Sequence, residues 1–168
     1  LLTDDQNVYF YLLMSPKLQG GFTNFLATGY ELTVGGKRYY LTFNNYSTVT
    51  LEVGQKQAVA MNIYGADGSN VSLSNQAYVG RQVIEQEMGD GSKVDGSGYV
   101  LECTIPINAL SGVSDTSGQT IAMSNNNLWS GSVEAAGGNT GAIILVGIGF
   151  VIAVGSVWKF SSIRKKRG

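Results

Sequence analysis

Carboxylates are the residues best placed to do chemistry in this chain, because histidine is missing entirely. Without imidazole there is no histidine-based nucleophile activation, no imidazole general base and no histidine-ligated zinc. The pairs Glu85/Glu87 and Asp90/Asp95 have the residue types that glycoside hydrolysis uses. They lie in or beside the polar stretch Gly89 to Gly98 (GDGSKVDGSG), which reads as a solvated loop. The single cysteine, Cys103, falls in an alternating run, so it reads as a buried structural thiol and not as a nucleophile. Asp4, Asp5 and Asn7 offer hard oxygen ligands suited to calcium, as do Asp90 and Asp95 with backbone carbonyls, and neither set completes an EF-hand loop. Asp4 and Asp5 are the candidate metal ligands. These residue types predict a protein that is not an enzyme and has no cofactor beyond a structural calcium ion.

The elements that position these residues are arranged relative to a membrane. Gly141 to Val157 (GAIILVGIGFVIAVGSV) carries no charge, and the stretch 141–160 has about the 20 residues that an α-helix needs to cross a hydrocarbon core. Trp158 stands where an aromatic ring favours the headgroup level. Lys159, Arg164, Lys165, Lys166 and Arg167 follow as the basic flank that stays on the cytoplasmic side. Residues 1–158 hold six Lys/Arg against twelve Asp/Glu, and residues 159–168 hold five basic residues and no acid. The formal total of −1 hides that asymmetry, and the basic end suits an anionic inner leaflet. The chain therefore divides into an extracellular β domain at 1–130, a Gly-rich juxtamembrane linker at 131–140, a transmembrane helix at 141–160 and a basic cytoplasmic tail at 161–168. A membrane is the expected partner, and nucleic acid is not. Leu1-Leu2-Thr3-Asp4 has neither an initiator Met nor a basic leader, so the chain reads as a mature form or a piece of a longer precursor.

The outer part follows a β pattern throughout. Val8 to Met14 (VYFYLLM) is apolar on both faces, as a central strand covered on both sides would be. Tyr30 to Phe43 reads as a hairpin turning at Gly35-Gly36, with Tyr30, Leu32 and Val34 on one face, and Tyr39, Leu41 and Phe43 on one face of the return strand. Ala58 to Tyr64 is a strand stopped by Gly65-Ala66-Asp67-Gly68, and Tyr78 to Met88 is less regular. Tyr99 to Ile105 is a strand ended by Pro106, with a helical turn at Ile107 to Leu110. Ile121 to Met123 and Leu128-Trp129 supply a closing edge. Short strands with frequent turns predict an all-β fold, a two-sheet antiparallel β-sandwich followed by one transmembrane α-helix. A lone cysteine excludes an intramolecular disulfide, and such surface domains lean towards Gram-positive bacteria.

Two stretches of the outer domain resemble a known family. Thr3 to Ser15 (TDDQNVYFYLLMS) resembles the early strand of the sandwich family that includes family-nine carbohydrate-binding modules and DOMON-like domains. Ser97 to Leu110 (SGYVLECTIPINAL) is similar to that family's strand with one glutamate ending in Ile-Pro and a helical turn, with Glu102, Ile105, Pro106 and Leu110 at the matching positions. In that family the acid-rich opening follows a further strand, which implies that the first strand of the domain is missing here. The tail from Gly137 to Gly141 into the apolar stretch resembles the Firmicu-CTERM segments of Firmicutes surface proteins, which implies cell-surface display with processing near Gly137-Gly138. No LPxTG-like signal accompanies it.

The resemblance implies binding of carbohydrate or a cell-wall glycan, by rings that stack on sugar faces and planar polar side chains that fix hydroxyls. Trp129 among Asn125, Asn126 and Asn127 has that mixture, as do Tyr30, Tyr39, Tyr40, Tyr46 and Tyr78. The candidate ligand residues are Trp129, Asn126 and Tyr78, with core packing the alternative for each ring. Haem is known in some DOMON-like relatives, but without His only Met14, Met61, Met88 and Met123 remain as axial ligands. The expected function is a non-catalytic, membrane-anchored surface protein that binds or displays. The alternatives are a structural or assembly protein of the cell surface or of a membrane-containing virion, and an electron-transfer domain.

Overall fold

Alternating inward and outward side chains fold this sequence as strands, since successive residues of a strand point to opposite faces. The computed structural model describes residues 1–14, 24–128 and 131–138, the side chain of Gln86 excepted. Its strands are β1 (Leu2–Thr3), β2 (Asn7–Leu13), β3 (Tyr30–Val34), β4 (Lys37–Phe43), β5 (Lys56–Gly65), β6 (Asn70–Glu87), β7 (Lys93–Pro106), β8 (Thr120–Ser124) and β9 (Ser132–Ala136). Two 3-10 turns, Asn44–Tyr46 and Ile107–Ala109, are the only helical pieces among the described residues. Every strand joins one antiparallel ladder in the order β1-β2-β7-β6-β5-β4-β3-β8-β9. Its two ends approach one another, where the Thr3 hydroxyl donates to the Ala136 carbonyl at 3.4 Å. The all-β expectation holds, and the sheet nearly closes on itself.

Closure puts one face inside. Phe10 in β2 meets Tyr30 in β3 edge to face, with ring centroids 6.1 Å apart, although four strands separate them along the ladder. Tyr30 continues to Phe43 at 5.3 Å, and Phe43 to Phe25 at 6.0 Å. Around these rings Leu32, Leu41, Leu101, Ile105 and Ile121 are buried. The Tyr30 hydroxyl, lodged in this apolar interior, donates to the Leu26 carbonyl at 3.0 Å, which satisfies its one polar atom. The predicted hairpin forms as read. Gly35 and Gly36 take φ of 55° and 82°, and its Tyr30/Leu32/Val34 and Tyr39/Leu41/Phe43 faces are all buried.

Several boundaries differ from the pattern reading, each for a physical reason. The apolar run in β2 is covered on its inner face only. Val8, Phe10 and Met14 are buried, while Tyr11 and Leu13 stand 53% and 43% exposed. The stretch expected to be irregular and the polar loop after it form one long hairpin, with β6 running through to Glu87 and β7 starting at Lys93. Register continues down to Glu87 opposite Lys93, so Gly89 to Ser92 form the turn as expected, while the polar composition of 93–98 reflects solvent on both faces and not a loop. The closing edge is β9, paired to β8, and Leu128 lies in the turn before it. Residues 132–136, expected to be linker, are therefore strand. Gly137 is held at the strand end by its N–H donating to the Gln119 carbonyl at 2.8 Å, and an added Cβ there would collide with the Thr116 backbone. The predicted helix at 141–160 and the tail at 161–168 lie outside the described residues. Among the described residues no helix is long and apolar enough to cross a membrane.

Truncating Leu101, fully buried in β7 between β2 and β6, removes packing from both neighbours. Leu101→Ala is expected to lower the unfolding free energy by about 2–5 kcal/mol. Tyr30→Phe, which deletes one hydrogen bond and keeps the ring, should cost about 1 kcal/mol. Urea unfolding followed by circular dichroism checks both, and a Tyr30→Phe loss as large as that of Leu101→Ala would show that the hydroxyl bond, and not ring packing alone, holds Tyr30.

Candidate functional site

With the inner face filled, any binding surface has to come from outward positions. Register aligns four of them across adjacent strands: Tyr11 in β2 opposes Glu102 in β7, Glu102 opposes Tyr78 in β6, and Tyr78 opposes Ala58 in β5. Strands stand about 4.8 Å apart, so the two tyrosines, one on each side of β7, are about 10 Å apart at the backbone. One step along the strands the row is Leu13, Val100, Gly80 and Lys56. Gly80, having no side chain, leaves a dip between them. Two adjoining depressions of about 270 and 410 Å³ share Lys56, Tyr78 and Glu102, and together form a trough across the outer face. Gln55 and Gln82 border the first, and Tyr9, Tyr11 and Gln76 the second.

Two cationic side chains and one carboxylate line the trough, and Arg81 is held by the Ser97 hydroxyl and the Leu51 carbonyl. The Lys56 ammonium pairs with the Glu102 carboxylate and also stands over the Tyr78 ring, 5.1 Å from its centroid. Both ends of the ion pair are about half exposed, at 54% and 50%, so solvent screens it and it adds little to stability. Tyr11 and Tyr78 present ring surface to water, at 53% and 38% exposure. The trough therefore combines exposed aromatic faces, carboxamides and a neutralised charge pair, which suits a ligand with both apolar faces and hydroxyls.

Other candidate residues have structural employment. Both Asp4 oxygens already accept hydrogen bonds. Oδ2 takes one from the Tyr9 hydroxyl at 2.7 Å, and Oδ1 takes one from each of the Gln6 and Asn7 N–H groups. These donors, Tyr9 first, hold the Asp4 carboxyl below the usual carboxylate range. Asp5 is exposed beside it. Among the described residues no three His, Cys, Asp or Glu side chains cluster as a metal site. Glu85 pairs with Lys93 at 2.6 Å across the β6–β7 ribbon, and Asp90 accepts from the N–H and hydroxyl of Ser92 in its turn. Cys103 is buried opposite Phe10, and desolvation pushes its thiol up to about 12. Met14, Met61 and Met123 are buried in the core, and Met88 is half-buried.

Of the three ligand residues read from the sequence, Tyr78 lies in the trough. Asn126 is exposed in the β8–β9 turn, with β5, β4 and β3 between β6 and β8, so the two are not brought together. Trp129 lies outside the described residues, as do Trp158, Lys159, Arg164, Lys165, Lys166 and Arg167. Tyr30 and Tyr39 are core residues, whereas Tyr40 and Tyr46 are exposed away from the trough on β4 and the turn after it. Tyr11, Glu102 and Lys56 were missed as site residues. Tyr11 carried a usable signal, since it is out of phase with Val8 and Phe10. Lys56 carried none, because only the sheet brings it to Glu102, 46 residues away.

No family model, curated protein or solved structure matches the chain.

Two titrations test this assignment of roles. At pH 8 the folded protein should leave Cys103 unlabelled by a thiol-reactive disulfide, with labelling released by denaturant; fast labelling in the folded state would make the thiol reactive. Asp67 Oδ2 accepts from the Ser111 hydroxyl at 2.6 Å, and Oδ1 accepts from the Ser69 N–H at 3.0 Å. The Ser111 and Ser69 bonds lower its carboxyl from 3.8 to about 2. A depressed folded-state value stabilises above the unfolded one, so this contribution should fade as pH falls from about 4 towards 2. Asp67→Asn should flatten that part of the stability–pH curve measured by thermal unfolding.

Proposed function

We propose that this chain is a non-catalytic, single-pass, membrane-anchored cell-surface protein whose β domain binds or displays a ligand outside the cell. The leading ligand class is carbohydrate or a cell-wall glycan. On this reading the nearly closed sheet is a flattened sandwich, and the trough on its outer face is the binding surface. The observation that carries the proposal is the aligned row of Tyr11, Glu102 and Tyr78, with two exposed rings flanking a carboxylate on rigid strands. Ring faces stack on the apolar faces of sugars, while Gln76 and Gln82 suit hydroxyls. The uncharged stretch 141–160 and its basic flank support the anchor. The two family-like motifs, and the Firmicutes-type tail, support the surface setting.

A specific observation also favours the assembly reading. From Gln82 and up to Ser97, β6 and β7 pair with each other and with no further strand among the described residues. Such a two-stranded ribbon has open edges that another chain can extend, and it carries exposed Val83 and Val94.

The two readings separate in one set of measurements on the full chain, held in a detergent without a sugar headgroup. The binding reading expects saturable retention on insoluble polysaccharide or purified cell wall, and sedimentation that does not change with concentration. Concentration-dependent association without retention would favour assembly. On whole cells, externally added protease should remove the N-terminal portion, and a fully protected chain would sink the surface placement.

A further inference from the structure

The Lys56 ammonium occupies the Tyr78 ring face that a ligand would need. It reaches there from β5 across to β6, stands 5.1 Å from the ring centroid, and is tied down on its far side by the Glu102 carboxylate. Glu102 is also the group placed between the two exposed rings. One flexible side chain thus covers the ring face and the acceptor together. We infer that Lys56 is a displaceable cover on a two-ring platform, Tyr78 and Tyr11, that takes a neutral linear oligosaccharide lying across the strands. This inference rests on the binding reading above and names its ligand class and the residue that controls access.

Three features select that ligand. The trough is an open, shallow groove across the outer face and not an enclosed cavity, so a ligand lies along the sheet instead of entering it. Tyr11 and Tyr78 stand about two strand spacings apart at the backbone, about 10 Å, a span suited to an extended chain and not to a single monosaccharide. Lys56 and Glu102 offset each other, and the Arg81 guanidinium that also lines the trough is engaged by the Ser97 hydroxyl and the Leu51 carbonyl, so a neutral ligand needs no counter-charge to bind there. Displacement is within reach because both contacts are weak at this exposure: a cation over an exposed ring and a solvent-screened ion pair are together worth only a roughly three- to tenfold effect on an equilibrium. On release, Glu102 becomes free to accept ligand hydroxyls, and the long Lys56 stem swings into water without leaving a buried charge unpaired.

The test titrates cellohexaose, xylohexaose, mannohexaose and the hexamer of N-acetylglucosamine into the full chain by calorimetry, in the same sugar-free detergent. At least one hexamer is expected to bind, with its monosaccharide at least tenfold weaker. Tyr78→Ala and Tyr11→Ala should each weaken that hexamer about tenfold, and Tyr46→Ala should leave it unchanged. Lys56→Ala should tighten binding about three- to tenfold. Raising salt from 50 mM to 500 mM should tighten the unaltered protein but not Lys56→Ala, because salt loosens only the ion pair; a merely structural lysine would not produce that difference. Weakened or unchanged binding in Lys56→Ala would overturn the cover. Hexamer binding indifferent to both tyrosine changes would overturn the platform while leaving a glycan-binding protein. Failure of the unaltered protein and of Lys56→Ala to bind any hexamer would overturn the inference together with the carbohydrate reading beneath it.

Discussion

A sheet that must bury one face by closing on itself sets the conditions for everything else in this molecule. The described residues contain no helix to lay against either face, so the inner side chains have only one another. The edge-to-face chain from Phe25 through Phe43 and Tyr30 to Phe10 spans that interior, linking strands far apart in the ladder. Burial of such rings is the main favourable term available to a domain of this size without disulfides. Once inward positions are committed to packing, alternation forces their neighbours outward. The trough is a consequence of that parity.

Closure also explains the division of labour among the polar groups. Residues with specific hydrogen bonds tend to sit at corners where the chain turns: Asp4 before β2, Asp67 between β5 and β6, and Asn125 accepting from the Asn127 N–H in the β8–β9 turn. Their acceptors are occupied by backbone and hydroxyl donors. The outer face of β2, β7, β6 and β5 is different, because the Lys56–Glu102 pair there is solvated and loosely held. Rigid strands carrying weakly engaged side chains form a surface that can exchange partners at small free-energy cost.

The β6–β7 ribbon shows how far composition misleads when solvent lies on both faces. Gly, Ser, Asp and Lys from Gly89 to Gly98 look like a loop because strand signals depend on a buried face. Here backbone pairing alone continues the hairpin to Glu87 and Lys93. The β2 strand shows the opposite case, because its apolar run reads as covered on both sides. Tyr11 and Leu13 nevertheless remain exposed, because among the described residues no second layer stands over them.

By itself the amino-acid sequence determined the strands that alternate cleanly, the Gly35-Gly36 turn, the burial of Cys103 and the end of β7 at Pro106. These depend on local periodicity and on backbone chemistry that each residue carries with it. Membership of Tyr78 in the candidate surface was legible too, as an aromatic of the kind such surfaces use. Only the tertiary structure decided that Tyr11, Glu102, Tyr78 and Lys56 share one trough and that Asn126 does not join them. Strand order and register are long-range properties, fixed by which inner faces pack when the sheet closes, and no spacing along the chain encodes them directly.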